Sequence, residues 1–164
     1  MADGHLEQPA EELSGEDLAL VRLENVPLRF FSTTLRRHRD LMRECVLMQI
    51  GADHDGTSAP PRELVELVAE LQAYRSFGSA TDTLRDAAIT RGESAATLVY
   101  RIPREVGAKI SRLMQLYDAV DELSRDDRHL LSLPPTPESV ALRRWYLGEF
   151  VRQAAGQPPT PWRG

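Results

Sequence analysis

Two side chains able to do chemistry stand close together in this sequence, His38 and Cys45. On a helix their seven-residue spacing puts both on one face with Leu35 and Met42. They would then lie two turns and roughly 10 Å apart along the axis, too far for a thiolate–imidazole pair within that helix. Cys45 is the only cysteine, so the chain has no intrachain disulfide and no cysteine-based zinc cluster. It reads as a packing residue, the usual role of a single buried thiol. His38 has the same packing reading and one sharper alternative, a phosphoacceptor on a helical bundle.

Three short motifs resemble catalytic or metal sites and fail on context. His38-Arg39-Asp40-Leu41 spells the start of a protein-kinase catalytic loop, but the asparagine that should follow is replaced by Cys45. The glycine-rich loop, the strand lysine and Asp-Phe-Gly are also missing. Gly92-Glu93-Ser94-Ala95-Ala96 approaches a nucleophile elbow, which needs a strand before the serine and a helix after it. Here the order is reversed. Asp53-His54-Asp55-Gly56 hints at a cation loop, yet an EF-hand register from Asp53 puts Ser58 where glycine belongs and Leu64 where the closing acid belongs. No catalytic residue, metal site or cofactor signature is expected.

Charge is more informative than any of these. The net charge of −5 argues against nucleic acid as a partner, since phosphate binding needs a concentrated positive surface. Residues 1–18 carry Asp3, Glu7, Glu11, Glu12, Glu16 and Asp17 with no Lys or Arg, whereas Arg29, Arg36, Arg37, Arg39 and Arg43 are opposed only by Asp40. The bland reading of the second cluster is a solvated face with an Arg36–Asp40 pair; the functional one is a docking patch for an acidic partner or for the chain's own acidic N-terminus. Arginine outnumbers lysine 19 to one, a ratio that surface physics does not demand and that suits a high-GC genome.

The elements that would carry these residues follow from periodicity and punctuation. Val21 to Phe31 is extended in character, because Pro27 blocks a helix interior and Leu28 and Phe30 flank Arg29. A first helix is expected from Ser32 to Ile50, capped by Ser32 or Thr33 and stopped by Gly51. Pro61 to Tyr74 makes a second, with Leu64, Leu67, Val68 and Leu71 as its core stripe. A third starts at a capping box, Ser79-x-x-Asp82, and ends at Gly92. Leu98, Tyr100 and Ile102 alternate along a strand from Thr97 to Pro103, able to pair with Val26–Phe30. The fourth helix, Arg104 to Arg125, buries Val106, Ile110, Leu113, Leu116, Tyr117, Val120 and Leu123, with Glu105 and Lys109 as an i,i+4 pair. Thr136-Pro137 caps a fifth that stops at Gly156.

The expected fold is therefore mainly α: a bundle of about five helices with a short two-stranded ribbon. Residues 19–156 form the domain, between the acidic tail 1–18 and a proline-rich tail, 157–164. In that tail Pro158-x-x-Pro161 is a minimal polyproline spacing, and Trp162 must either fold back on the body or anchor an interface. The last helix is apolar nearly all round. Trp145, Tyr146 and Phe150, with Trp162, thus make a second candidate interaction surface beside Arg36, Arg37, Arg39 and Arg43, one that could support a homodimer.

Val26-Pro27-Leu28-Arg29-Phe30-Phe31 leading to His38-Arg39-Asp40-Leu41-Met42-Arg43-Glu44, then Tyr100-Arg101-Ile102-Pro103, then Trp145 to Gln153 closing with Pro159-Thr160-Pro161-Trp162, resemble small actinobacterial regulatory proteins. These are associated with anti-sigma-factor and STAS-type partner switching. The resemblance spans about residues 20–164 and implies a regulatory, protein-binding role. The asparagine-box helix and glycine-rich lid of an anti-sigma kinase do not occur in this chain. The sequence has no apolar run long enough to span a bilayer, and its first 17 residues have no signal-peptide core, so no membrane partner and a cytoplasmic location are expected. The function expected is a non-enzymatic interaction module. Its rivals are a phosphotransfer protein using His38 and a small-ligand-binding helical domain.

Overall fold

A strand whose inner residues are all aliphatic comes first among the described elements. The computed structural model describes residues 17–55, 62–126 and 135–164, with backbone only at 52–55 and 123–126. In β1 (Leu18–Pro27), Ala19, Val21, Leu23 and Val26 are buried while Leu20 faces solvent. β1 pairs antiparallel with β2 (Ala95–Pro103), whose Leu98, Tyr100 and Ile102 join the same buried face. The register runs from Leu18 opposite Pro103 to Pro27 opposite Ala95, broken by a bulge between Leu23 and Val26. Asn25 sits in that bulge at φ 58°. The chain's lone asparagine thus occupies a left-handed position, which asparagine tolerates better than most residues.

Five α-helices are present among the described residues, and four of them, all but the second, pack on this ribbon. They are α1 (Leu28–Asp55), α2 (Arg62–Gln72), α3 (Ser79–Thr90), α4 (Val106–Asp126) and α5 (Pro137–Ala154), with a 3-10 turn at Arg75–Gly78 before α3. The mainly helical class with a two-stranded ribbon is the one expected. α5 packs on α4 and β1, α2 on α4, and α3 on β2. The stripe on α4 points inward as its spacing requires, with Val106, Ile110, Leu113, Leu116, Tyr117 and Val120 all buried. Leu123 lies outside the residues whose side chains are described. Close approach of α4 and α5 depends on Gly107, where a Cβ would meet the Ala154 Cβ at 2.9 Å.

Several boundaries differ from expectation for physical reasons. The first helix starts at Leu28 rather than Ser32, because Leu28 N–H donates to Ser94 O (3.0 Å) and so ties off the helix start from outside the helix. Leu28 and Phe31 are both buried three residues apart, a helical spacing that Pro27 had masked as strand alternation. The helix runs through Gly51 to Asp55. A helical glycine costs about 1 kcal/mol, which a long helix absorbs. Gly92 and Gly156, by contrast, do end α3 and α5 at φ 85°, and Glu93 N–H to Ala88 O and Gln157 N–H to Arg152 O close both ends. The capping box fails, since α3 follows Gly78 and Ser79 Oγ donates to Ser76 O instead. At α5 the expected cap holds, with Thr136 Oγ1 accepting from Ser139 N–H. Pro60, Pro61 and the Gly56–Ser58 part of the loop lie outside the described residues.

Candidate interaction surface

All five arginines of the cluster, Arg29, Arg36, Arg37, Arg39 and Arg43, are exposed on α1. No ion pair holds any of them among the described residues, and Arg36 does not pair with Asp40. Exposed pairs are weak, so helical spacing alone does not enforce one. The other expected pair is also replaced. Lys109 Nζ bridges to Glu70 (2.7 Å) and Glu105 accepts from the Tyr74 hydroxyl (2.7 Å), tying α4 to α2 and to the turn after it. The outward face of α1 changes character along its length. Past Arg43 it presents Val46, Leu47 and Ile50, which are 39%, 63% and 57% exposed. Charge and apolar area therefore adjoin on one helix.

The four aromatic residues of the second candidate surface are committed to the protein itself. Tyr146 is buried and meets Phe31 edge-on at 5.2 Å. Phe150 packs on Tyr100, and Trp145 on Trp162, at 5.2 and 5.4 Å between centroids. The C-terminal tail is an integral part of the fold. Trp162 N–H donates to Glu24 O (3.0 Å), its carbonyl accepts from Asn25 Nδ2 (2.8 Å), and Trp145 Nε1 donates to Thr160 O (2.9 Å). Two buried side chains of α5 anchor the approach. Glu149 accepts from the Thr160 amide and from Gln153, and also pairs with Arg152. Gln153 accepts from Arg22 N–H and donates to Arg22 O, both at 2.8 Å, as a neighbouring strand would. Side chain and tail together thus cap part of the free edge of β1.

His38 faces inward between α4 and α5. Its ring stacks on Tyr117 at 5.1 Å, and Nδ1 lies 3.0 Å from the Tyr146 hydroxyl. Burial, helped by the nearby Arg143 guanidinium, lowers its pKa to about 3, so the imidazole is neutral. Arg143 in turn lies 4.9 Å over the Tyr117 ring and forms a two-pronged, buried ion pair with Asp121. Cys45 is fully buried, and burial with the adjacent Glu44 carboxylate raises its thiol pKa to about 11. A neutral, buried thiol is a poor nucleophile. Among the described residues no three His, Cys, Asp or Glu side chains converge as metal ligands, and no helix is long and apolar enough to cross a membrane.

Sequence reasoning missed the Arg143–Asp121 pair and the Glu149–Gln153 anchor. Charged residues within an amphipathic stripe were the available signal, but helical period alone does not reveal which partner helix supplies the countercharge. It also missed a groove of about 460 Å³ between α1 and α3, lined by Arg29, Ser32, Thr33, Arg36, Asp86, Ile89 and Thr90. No family model, no curated protein and no solved structure matches this chain.

Proposed function

We propose that this protein is a non-enzymatic interaction module that docks an acidic, partly apolar protein on the outer face of α1, within a sigma-factor-related partner-switching system. The observation that carries this reading is the run of arginines, none of them ion-paired among the described residues, that leads to exposed Leu47 and its aliphatic neighbours. Unpaired guanidinium forks favour carboxylate partners in register, and an adjoining apolar area supplies the burial that charge alone does not. The system named is the one implied by the resemblance of the sequence to small regulatory proteins. His38 has the role of a packing residue in this reading, since its Nδ1 is occupied and its ring is stacked.

Site-specific photo-crosslinking in the native host tests it. A crosslinker at Leu47 should capture one defined protein, an anti-sigma, sigma or STAS-type component. The Arg39→Glu/Arg43→Glu double variant should abolish the adduct. A crosslinker at exposed Thr97 on the ribbon should not form it. Equal adducts from both positions would refute docking on α1.

A further inference from the structure

The groove between the first turns of α1 and the last turns of α3 combines three donors that have no partner among the described residues. Arg29 and Arg36 stand two turns apart on the same side of α1, and neither is held by an ion pair among the described residues. Between them Ser32 Oγ is buried without any hydrogen-bond partner among the described residues. A buried hydroxyl left unpaired costs stability, so a ligand oxygen that reached Ser32 Oγ would relieve that cost. The remaining polar groups are already engaged. Thr33 Oγ1 donates to Arg29 O and Thr90 Oγ1 to Asp86 O, while Asp86 Oδ1 accepts from the Arg85 guanidinium at 3.1 and 3.0 Å. Arg85 also donates to Asp82 (2.8 Å), so it offsets only part of the charge of Asp86, the one acid in the groove, against which stand the guanidinium groups of Arg29 and Arg36.

From this we infer that the groove is a binding site for a phosphorylated small molecule. Two guanidinium forks and a hydroxyl suit a dianion with several strong acceptor oxygens better than a single carboxylate. At about 460 Å³ the space is within the range of small-molecule pockets and too large for a bare phosphate. Ile89 offers an apolar wall to the organic part, and the second oxygen of Asp86 can accept from a ligand hydroxyl. The site uses Arg29, Ser32 and Arg36, and it does not depend on protein docking farther along α1.

Calorimetric titration with pyrophosphate at constant ionic strength tests the assignment, with malonate as a carboxylate of similar reach. Pyrophosphate should bind one to one with a Kd below about 1 mM, and malonate more weakly. Arg29→Ala/Arg36→Ala should weaken pyrophosphate by about tenfold or more, and Ser32→Ala severalfold, with circular dichroism confirming an unchanged fold. Arg39→Ala/Arg43→Ala, outside the groove, should leave binding unchanged. No saturable binding, tighter binding of malonate, an unaffected Ser32→Ala variant, or equal losses in the two arginine pairs would each overturn the site.

Discussion

Arg143 and Asp121 show most clearly what a single side chain does in this protein. Both are almost fully buried, so each depends on the other for compensation of its charge. Arg143→Ala strands the Asp121 carboxylate and should cost about 3–5 kcal/mol in denaturant unfolding. The double replacement Arg143→Met/Asp121→Leu should recover most of that loss; if it is no more stable than the single variant, the pair is not what the site needs. His38 gives a pH signature. Its folded pKa of about 3 lies below the ordinary 6.5, so the unfolded chain binds the proton first. Stability from this group is complete above about pH 6.5 and drains as pH falls from there towards 3. The slope is at most about 1.4 kcal/mol per unit and less for a partly exposed ring. Between pH 6.5 and 5, before most carboxylates titrate, His38→Phe should flatten the stability profile. An unchanged slope would show that another group carries it. The sequence identified His38 and Cys45 as facing one way, but not that Tyr117 and Tyr146 would enclose the imidazole, because those residues are far away in the chain.

Elements were mostly legible where local chemistry decides, although the Ser79 capping box and the Gly51 stop, both local signals, failed. The other misreadings arose where the rest of the fold decides. The spacing on α4, the Thr136 cap and the glycine stops of α3 and α5 are local, and they stand as expected. The start of α1 depends on Ser94 from the other end of the ribbon, and the Asn25 bulge on Trp162, contacts that no window along the chain contains. The C-terminal tail is the main case. Its Trp162 was bound to need cover; which surface covers it follows only from Glu149 and Gln153 on α5. Deleting residues 157–164 removes a tryptophan–tryptophan contact and several hydrogen bonds, on the order of 2–4 kcal/mol. The melting temperature should fall by roughly 5–15 °C, measured by calorimetry. An unchanged melting temperature would mean that the tail adds nothing to the fold.

On the scale of the whole molecule, the distribution of charge against apolar area decides how copies of this chain should treat one another. α5 has little to offer a homodimer, because its aromatic residues already pack on Phe31, Tyr100 and Trp162. The sequence offered both the arginine cluster and the aromatic residues as candidate surfaces; that the aromatic rings pack within the fold was not legible in it, since apolar content does not say which way side chains turn. Among the described residues the largest exposed aliphatic group on one element is Val46, Leu47 and Ile50 on α1. A two-fold dimer that set the two copies of α1 side by side in parallel would bring Arg39 and Arg43 of one copy towards those of the other, a repulsion that low salt makes worse. An acidic partner on the same face has the opposite dependence and is held most tightly at low salt. Light scattering should therefore give the mass of a monomer at about 50 mM salt, where the Debye length still spans the face. A crosslinked partner should dissociate progressively as salt rises. A dimer that is stable at low salt and insensitive to Arg39→Glu/Arg43→Glu would place the self-association elsewhere and remove the electrostatic argument for an acidic partner on α1.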